Sequence, residues 1–244
     1  MAVRLGKDIR LYIAGYDLSA LASSIQPKSE MELAKYAVND GVAGYHFLPG
    51  LSNDSLDVEG IFDDVVGAIL NTLHDTPTPA SAYVMNLIYG STIGDPAHCA
   101  ADSRMENYKA HSVVTDMNRV AFSMKAHGVG LSNGQLLYPK TAITADTNGS
   151  ILDGLAASAA GIDAYAHVFA IGGAGAKTAT VKIYMDDNSG FLSPTLLSDM
   201  GGATAIGTLT GSTSGAVERY LRASITFAGG APYAATVAII IKRK

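Results

Sequence analysis

The segment that decides the fold is Tyr220-Leu221-Arg222-Ala223-Ser224-Ile225-Thr226-Phe227, in which apolar and polar side chains alternate. Successive side chains of a strand point to opposite faces of a sheet, so this period of two predicts a strand that is buried on one face. Thr180–Met185 repeats the pattern. Thr236–Ile241 is apolar throughout, which predicts a central strand buried on both faces, with Lys242-Arg243-Lys244 ending it in solvent. Together these segments predict the strands of a β-sandwich.

The same alternation, interrupted by Gly, Asn, Asp and Pro, extends over most of the 244 residues. It predicts an all-β fold, an antiparallel sandwich or barrel. Residues 63–73 break the period and predict one flanking helix, because apolar side chains recur at helical spacing and Asp63 and Asp64 fall in the first turn, where the helix dipole favours anions.

The charge distribution suggests two domains. Residues 1–145 carry 15 acids and 10 bases, whereas residues 146–244 carry 7 acids and 7 bases. The turn-rich stretch Ala145–Ser150 lies where this change occurs. We therefore expect a first β-sandwich over 1–145 and a second over 146–244.

Composition excludes several function classes. The net charge of −5 provides no basic surface for tight DNA binding through counterion release. Cys99 is the single cysteine, so neither a disulfide nor a multi-cysteine zinc site can form, and a reducing compartment is expected. The N-terminal sequence lacks the pattern of a signal peptide, and no apolar run reaches 18 residues, so we expect a soluble protein with no membrane partner.

Three short motifs resemble catalytic or binding loops. Gly130-Leu131-Ser132-Asn133-Gly134 matches a nucleophile elbow, but a strand rather than a helix is predicted after it, which favours a β-turn. Gly172–Thr178 resembles a phosphate loop without the required Gly before its Lys. Asp186–Gly190 has the oxygen density of a calcium loop but no distal Glu, so a turn is favoured.

The histidines and the cysteine also nominate no site. His98 and Cys99 are adjacent and would point to opposite sides of an extended chain, and the six histidines form no closely spaced pair. We therefore expect no catalytic residue, no cofactor and no metal, and interpret the chain as a non-enzyme. An enzyme with a site assembled from distant residues stays open, and a turnover that depends on Ser132 would reveal it.

Four segments resemble the opening of the tail tube, or major tail, proteins of long-tailed bacteriophages. They are Leu11–Ser19, Leu33–Tyr36, His46–Leu51 and Ser55–Asp63, which together give a first strand, a strand that ends near a polar turn, a Pro-Gly-Leu turn and a Gly-x-Phe-Asp strand end in that order. The second part is similar to the jelly-roll modules that some of these proteins carry, with Val217–Arg222 resembling their penultimate strand.

This resemblance implies a structural virion protein, made in the host cytoplasm and located in the phage tail. Its subunits would form stacked rings, expected to be hexameric, around a hollow conduit for genome delivery. Residues 1–145 would form the ring and its lumen, and 146–244 would lie outside. The implied partners are copies of the chain and other tail proteins at the tube ends, while DNA passes through without specific binding.

An acidic lumen would repel phosphate and let DNA slide. In an extended chain Asp57 and Glu59 lie on the same face of their strand, and Glu30 and Glu32 likewise lie on the same face of theirs. We interpret Glu30, Glu32, Asp57 and Glu59 as candidates for the lumen; the alternative is that they form a solvated outer face.

Thr92–Ser112 is a polar, His-rich stretch that we interpret as a long loop contacting the neighbouring ring. Its candidate contact residues are Asp95, His98, Asp102, Arg104, Glu106 and Lys109.

The alternative function is a jelly-roll module that binds carbohydrate or decorates a capsid. Tyr165, Tyr184, Tyr220 and Tyr233 could stack on sugars, although the absence of Trp disfavours this reading.

Overall fold

The computed structural model describes residues 8–36, 46–61, 83–111, 119–128, 130–173, 177–229 and 232–244. In chain order the strands of this part are β1 (Ile9–Ile13), β2 (Tyr16–Asp17), β3 (Ala22–Tyr36), β4 (His46–Ile61), β5 (Tyr83–Tyr89), β6 (Pro96–His111), β7 (Arg119–Ala126), β8 (Ser132–Ile143), β9 (Thr147–Asn148), β10 (Leu152–Asp153), β11 (Ile162–Gly172), β12 (Thr178–Asp186), β13 (Thr195–Ala203), β14 (Gly207–Ser212), β15 (Tyr220–Ala228) and β16 (Ala234–Arg243). The predicted all-β class is confirmed. The predicted helix at 63–73 lies outside the described residues, and in the described part no helix has the length and hydropathy of a membrane span.

The chain forms two compact units that are not consecutive in sequence. The sandwich unit contains the described residues of Met1–Ala20, Tyr83–Cys99 and Ser132–Lys244, and the long-strand unit contains those of Leu21–Ala82 and Ala100–Leu131. The position between residues 145 and 146, where the charge distribution suggests a boundary, falls within the sandwich unit. The separate tube and outer-module roles of 1–145 and 146–244 stay predictions.

The sandwich unit has two antiparallel sheets. In the first, the strand order is β14-β11-β16-β8-β6-β5-β1-β2, with β6 contributing Pro96–Cys99 to the pairing with β8. In the second, the order is β10-β15-β12-β13, and β9 also pairs with β15. Strands β12 and β15 contain the two segments predicted from alternation, and the prediction is confirmed because Val181, Ile183, Leu221, Ala223 and Ile225 are fully buried.

Strand β16 is central, as its apolar sequence predicts. It pairs with β11 on one side and β8 on the other. Val237, Ile239 and Ile241 belong to the core shared by the two sheets, whereas Ala238 and Ile240 belong to a second cluster on the opposite face. Both faces are therefore buried, and both sets of backbone groups are paired.

The end of β16 is hydrogen-bonded rather than solvated, so the prediction for its basic residues is wrong for Arg243. The Arg243 guanidinium donates to the carbonyl oxygens of Ala156 (2.9 Å), Glu218 (3.0 Å) and Arg219 (2.9 Å). A Cβ at Gly154 would lie 2.2 Å from Nη2 of Arg243, so glycine leaves the room that the guanidinium needs. The acceptors lie 24 to 87 residues before Arg243 in the chain, so the sequence around Arg243 does not predict these hydrogen bonds.

In the described residues of the long-strand unit, four antiparallel strands form a sheet in the order β3-β4-β7-β6, to which β6 contributes residues from Ser103 onward. Strands β3, β4 and β6 are 15, 16 and 16 residues long, against a typical strand of about 5–6 residues. One face of the sheet is apolar and buried, with Leu56, Val58, Val120, Phe122 and Met124.

The long loop predicted over Thr92–Ser112 is wrong, because Pro96–His111 is strand β6. Its first residues pair with β8, and Ser103–His111 pair with β7. The stretch is polar because much of its side-chain surface in the long-strand unit is exposed. This strand is stabilised by its pairing with β7, so its sequence lacks the apolar alternation from which a strand is usually predicted.

A buried polar network lies in the sandwich unit. His167 is fully buried; its Nδ1 accepts a hydrogen bond from the backbone N–H of Gly15 (3.2 Å), and its Nε2 lies 2.7 Å from Oδ1 of Asn86. These partners require a neutral ring that donates from Nε2. Burial disfavours the charged ring and lowers the pKa of His167 to about 3.

This burial predicts acid destabilisation. Between pH 6.5 and about 3 the unfolded chain holds a proton on His167 that the folded chain does not. The contribution of the neutral His167 ring to the free energy of unfolding is therefore complete above pH 6.5. It is lost as the pH falls, at about 1.4 kcal/mol per pH unit within that window. We expect His167→Gln to be less stable at pH 7 but to lose less of its unfolding free energy between pH 6.5 and 4, as measured by urea unfolding. His127→Gln, at a ring that is 70% exposed, is the control and should keep the wild-type slope. Equal slopes in His167→Gln and the wild type would contradict a neutral buried ring.

Candidate functional site

The candidate site is the polar face of the long-strand unit, opposite its buried apolar face. Side chains of directly paired residues lie on the same face of a sheet, so the register defines this surface. The pairs Gln26↔Asp57↔Ser123↔Asn107 and Ser24↔Glu59↔Ala121↔Lys109 run across it. The polar face comprises Ser24, Gln26, Lys28, Glu30, Asn53, Ser55, Asp57, Glu59, Arg119, Ala121, Ser123, Lys125, Arg104, Asn107 and Lys109.

Asp57 is the best-connected acid of the polar face. It forms an ion pair with Lys28, and the hydroxyl of Ser123 donates to its Oδ1 at 2.7 Å. These hydrogen bonds favour the carboxylate, so Lys28 first and Ser123 second lower the pKa of Asp57. The same pairing raises the pKa of Lys28. Asp57 is therefore a carboxylate at any pH near neutrality.

The charges of the polar face nearly cancel. Lys125 Nζ lies 3.5 Å from Oε1 of Glu106, which reaches this face from the register shift between Met105 and Asn107. Among the described residues the face carries the acids Glu30, Asp57, Glu59 and Glu106 and the bases Lys28, Arg104, Lys109, Arg119 and Lys125. The face is thus mixed in charge rather than uniformly acidic.

Three of the four acids interpreted as lumen candidates lie together on the polar face: Glu30, Asp57 and Glu59. The alternation that suggested this is visible in β4, where Leu56 and Val58 are buried and Glu59 is exposed. Glu32 falls at the register shift between Met31 and Leu33. That this face lines a bore stays a prediction.

Strand β3 forms an edge of the long-strand unit, because β4 is its only partner among the described strands. Pro27 faces Leu56 in the register. Proline has no N–H, so this must be a non-hydrogen-bonded pair, and alternate residues Ile25, Pro27 and Ser29 direct their backbone groups away from β4. An outward row of backbone donors and acceptors results, with one donor missing at Pro27.

The residues interpreted as inter-ring contacts divide between the two units. Asp95 and His98 lie in the sandwich unit; Asp95 is buried and accepts from the N–H of Thr92 at 2.8 Å, while the ring of His98 packs edge-on against Tyr89. Asp102, Arg104, Glu106 and Lys109 lie in the long-strand unit, the first of them 3.7 Å from His127. A contact with a neighbouring ring stays a prediction for all six.

The catalytic-looking motifs have structural explanations. Strand β8 begins at Ser132, as the strand prediction requires, so no strand-to-helix elbow forms there. A Cβ at Gly134 would lie 2.6 Å from both Cys99 Sγ and the carbonyl oxygen of Ile241, so this glycine permits close packing. Asp186 accepts from the N–H groups of Asn188 and Ser193 and closes a turn. In the described part of the chain no three His, Cys, Asp or Glu residues are grouped for a metal.

The four tyrosines considered for sugar stacking do not form one platform. Tyr165 is buried in the cluster that includes Ile240. Tyr233 is stacked on Phe227 with ring centroids 5.0 Å apart, so one face of its ring is occupied by another side chain of the same chain.

No protein-family model and no curated protein sequence matches the chain. The solved structures to which it is similar include the following three. A chain of the virion of a native gene transfer agent particle has 13% identity and a TM-score of 0.41, over 53% of this chain and 99% of that one. The Dit protein of phage SPP1, described as a paradigm of the hub adsorption apparatus in phages that infect Gram-positive hosts, has 12% identity and a TM-score of 0.40, over 97% and 99%. A chain of the phage p2 baseplate in its activated conformation has 8% identity and a TM-score of 0.33, over 97% and 98%. Scores this low assign no role to this chain.

Sequence reasoning missed the edge position of β3 and the ion pairs that cross the polar face. Pro27 was the available signal for the edge, because proline within a strand pattern indicates an edge strand. The ion pairs have no comparable signal: Lys28 and Asp57 are 29 residues apart, and only the register brings them together.

We expect Gly134→Ala to destabilise the fold by about 1–3 kcal/mol, because the added methyl overpacks the contact with Cys99 and Ile241. Gly207→Ala is the matched control, since a Cβ there meets nothing within 4 Å. Ser132→Ala should leave the melting temperature within about 2 °C of the wild type, as a surface change does. Equal melting temperatures for the two glycine variants would show that Gly134 has no packing role.

Proposed function

We propose that this chain is a structural subunit of a phage-type tail and that it builds the tail tube. In this proposal the long-strand sheets of sister copies join edge to edge into a ring, and rings stack into a hollow conduit for the genome. The bacteriophage resemblance of Leu11–Asp63 gives the class of particle. The observation that carries the assembly mode is the 15-residue edge strand β3.

An edge strand of this length needs a partner or a device that blocks one. Unpaired N–H and C=O groups template another strand, and native proteins usually shorten, charge or cover such edges. In β3, Pro27 removes only one outward donor, so a second strand can still pair with the residues before and after Pro27. Pairing with a sister copy would satisfy the row, and closing the resulting sheet into a barrel would remove the edges.

The two faces of the sheet support this orientation. The apolar face is buried within the subunit, so the polar face is the one available to line a bore. Its cations face nearby acids, as in Lys28–Asp57 and Lys125–Glu106, which limits the counterions that DNA phosphates could release. A conduit with such a lining would hold water and ions but would not trap the duplex.

The remaining parts of the proposal follow from the same role. The subunit would be a virion component made in the host cytoplasm, with no catalytic activity. Residues 146–244 would lie on the outside of the tube, and other tail proteins would cap the tube ends.

The first test blocks the edge of β3. Ser29→Pro removes an outward N–H while leaving the pairing with β4 intact, because this N–H points away from β4. Ser29→Ala is the control, since both variants lose the hydrogen bond from Ser29 Oγ to Asp54 Oδ1 (2.6 Å) but only the proline loses the backbone donor. By negative-stain electron microscopy we expect rings or hollow filaments from the wild type and Ser29→Ala, and monomers with an unchanged circular dichroism spectrum from Ser29→Pro.

Filaments from Ser29→Pro would exclude β3 as the joining edge. Should this variant fail to fold, Ile25→Pro blocks a second outward donor on the same strand, with Ile25→Val as its control. A wild-type protein that stays monomeric at high concentration would overturn the tube itself.

The second test changes the charge of the polar face. Asp57→Asn together with Glu59→Gln removes two of its four described acids and leaves all five described bases. We therefore expect non-specific binding of duplex DNA to tighten about tenfold or more at 50 mM salt and to weaken steeply with added salt. Fluorescence anisotropy with a labelled duplex measures both. Asp187→Asn with Glu218→Gln changes the net charge equally but lies in the sandwich unit, and it should have a smaller effect. Equal tightening in both double variants would show that net charge, not this face, sets DNA affinity.

A further inference from the structure

A second polar site lies in the sandwich unit, away from the polar face. It is a pocket of about 230 Å³ lined by Arg10, Tyr12, Asp17, Ser91 and Lys140, with Leu136 and Pro139 as its apolar wall. Strands β1, β2 and β8 and the segment after β5 bring these residues together. Nothing in the tube proposal uses the pocket.

One cation of the pocket is already neutralised. Lys140 Nζ lies 2.7 Å from Oδ2 of Asp17, and Asp17 also accepts a hydrogen bond from the N–H of Ser19 at 2.9 Å. Burial alone would favour a neutral carboxyl, but the hydrogen bonds from Lys140 and Ser19 outweigh it and lower the pKa of Asp17. Asp17 and Lys140 therefore form a fixed ion pair at neutral pH.

Arg10 is the charge left over. Within the described residues its guanidinium has no ion pair or hydrogen bond, and its side chain is half-buried in the pocket. With Asp17 balanced by Lys140, the pocket holds one uncompensated positive charge. A guanidinium presents a planar fork of donors that suits carboxylate and phosphate oxygens.

Tyr12 and Ser91 add neutral donors. Burial, together with the nearby Asp17, raises the pKa of Tyr12, so its hydroxyl keeps its proton at physiological pH. The ring of Tyr12 is fixed edge-on against Phe169 with centroids 4.8 Å apart, and Lys140 lies 4.8 Å above the centroid of the Phe169 ring. The hydroxyl of Tyr12 is therefore held on a rigid element instead of a mobile loop.

We propose that this pocket binds a small oxyanion, a carboxylate or a phosphate group, with Arg10 as the charged anchor and the hydroxyls of Tyr12 and Ser91 as additional donors. Leu136 and Pro139 would contact an apolar part next to the anionic group. The site is independent of tube assembly, because none of its residues belongs to the long-strand unit.

The test is the melting temperature of the full-length protein against sodium phosphate and, separately, sodium acetate, with sodium chloride holding ionic strength constant and the protein concentration fixed. A ligand that binds the folded state raises stability with its concentration relative to the dissociation constant. We expect a saturable increase with at least one of the two anions. Arg10→Gln should raise the dissociation constant about tenfold or more, the typical effect of losing a charged hydrogen-bond partner. The dissociation constant of Arg10→Lys should lie between those of the wild type and Arg10→Gln.

Lys182→Gln is the control, because it removes the same charge from the sandwich unit at a partly exposed ion pair with Asp199. It should keep the wild-type response. A response to acetate alone identifies a carboxylate as the ligand group, and a response to phosphate alone identifies a phosphate. No increase beyond that in chloride, or the same increase in Arg10→Gln as in the wild type, would overturn the site.

Discussion

Pairing of backbone hydrogen-bonding groups is the constraint on which both units depend. In the sandwich unit, β16 has a strand on each side and apolar neighbours on each face, so its backbone and side chains are both satisfied within the chain. In the long-strand unit, β3 has one strand partner among the described residues although it is as long as the strands it accompanies. Backbone groups are thus paired on both sides of β16, whereas those on the outer side of β3 have no strand partner among the described residues.

Buried and half-buried polar groups of the sandwich unit follow the same rule, with partners from other parts of the chain. His167 takes a donor from Gly15 and gives one to Asn86, and Arg243 distributes its donors over three loop carbonyls. Burying each group costs desolvation free energy, which its hydrogen bonds offset. Since the partners come from distant parts of the chain, these contacts fix how loops and strands of the sandwich unit are arranged.

The predictable part of the fold is the part in which burial follows sequence directly. Alternation identified β12 and β15, because a strand buried on one face has apolar residues at every second position. Continuous apolarity identified β16, because a strand buried on both faces has them at every position. Strand β6 escaped detection since its exposed residues, such as Arg104 and Lys109, carry no such pattern and its stabilisation comes from pairing with β7. The composition of the units was equally inaccessible, because each unit combines segments that are far apart in sequence. For the candidate site, alternation placed Asp57 and Glu59 on one face, but only the register revealed Lys28 and Lys125 beside the acids.

The pairing of these charges changes the physical argument for a conduit. An acidic lining keeps DNA away by repulsion, which salt screens over about 8 Å at physiological ionic strength. In the proposed tube, cations of the lining such as Lys28 and Lys125 lie next to carboxylates, so they are less available to neutralise DNA phosphates and release the cations condensed on the duplex. Weak adhesion then follows from local neutralisation, which acts at contact distance and depends less on ionic strength than long-range repulsion does. A lining of this kind depends on the register of β3, β4, β7 and β6, because pairing across the sheet is what places Lys28 beside Asp57 and Lys125 near Glu106.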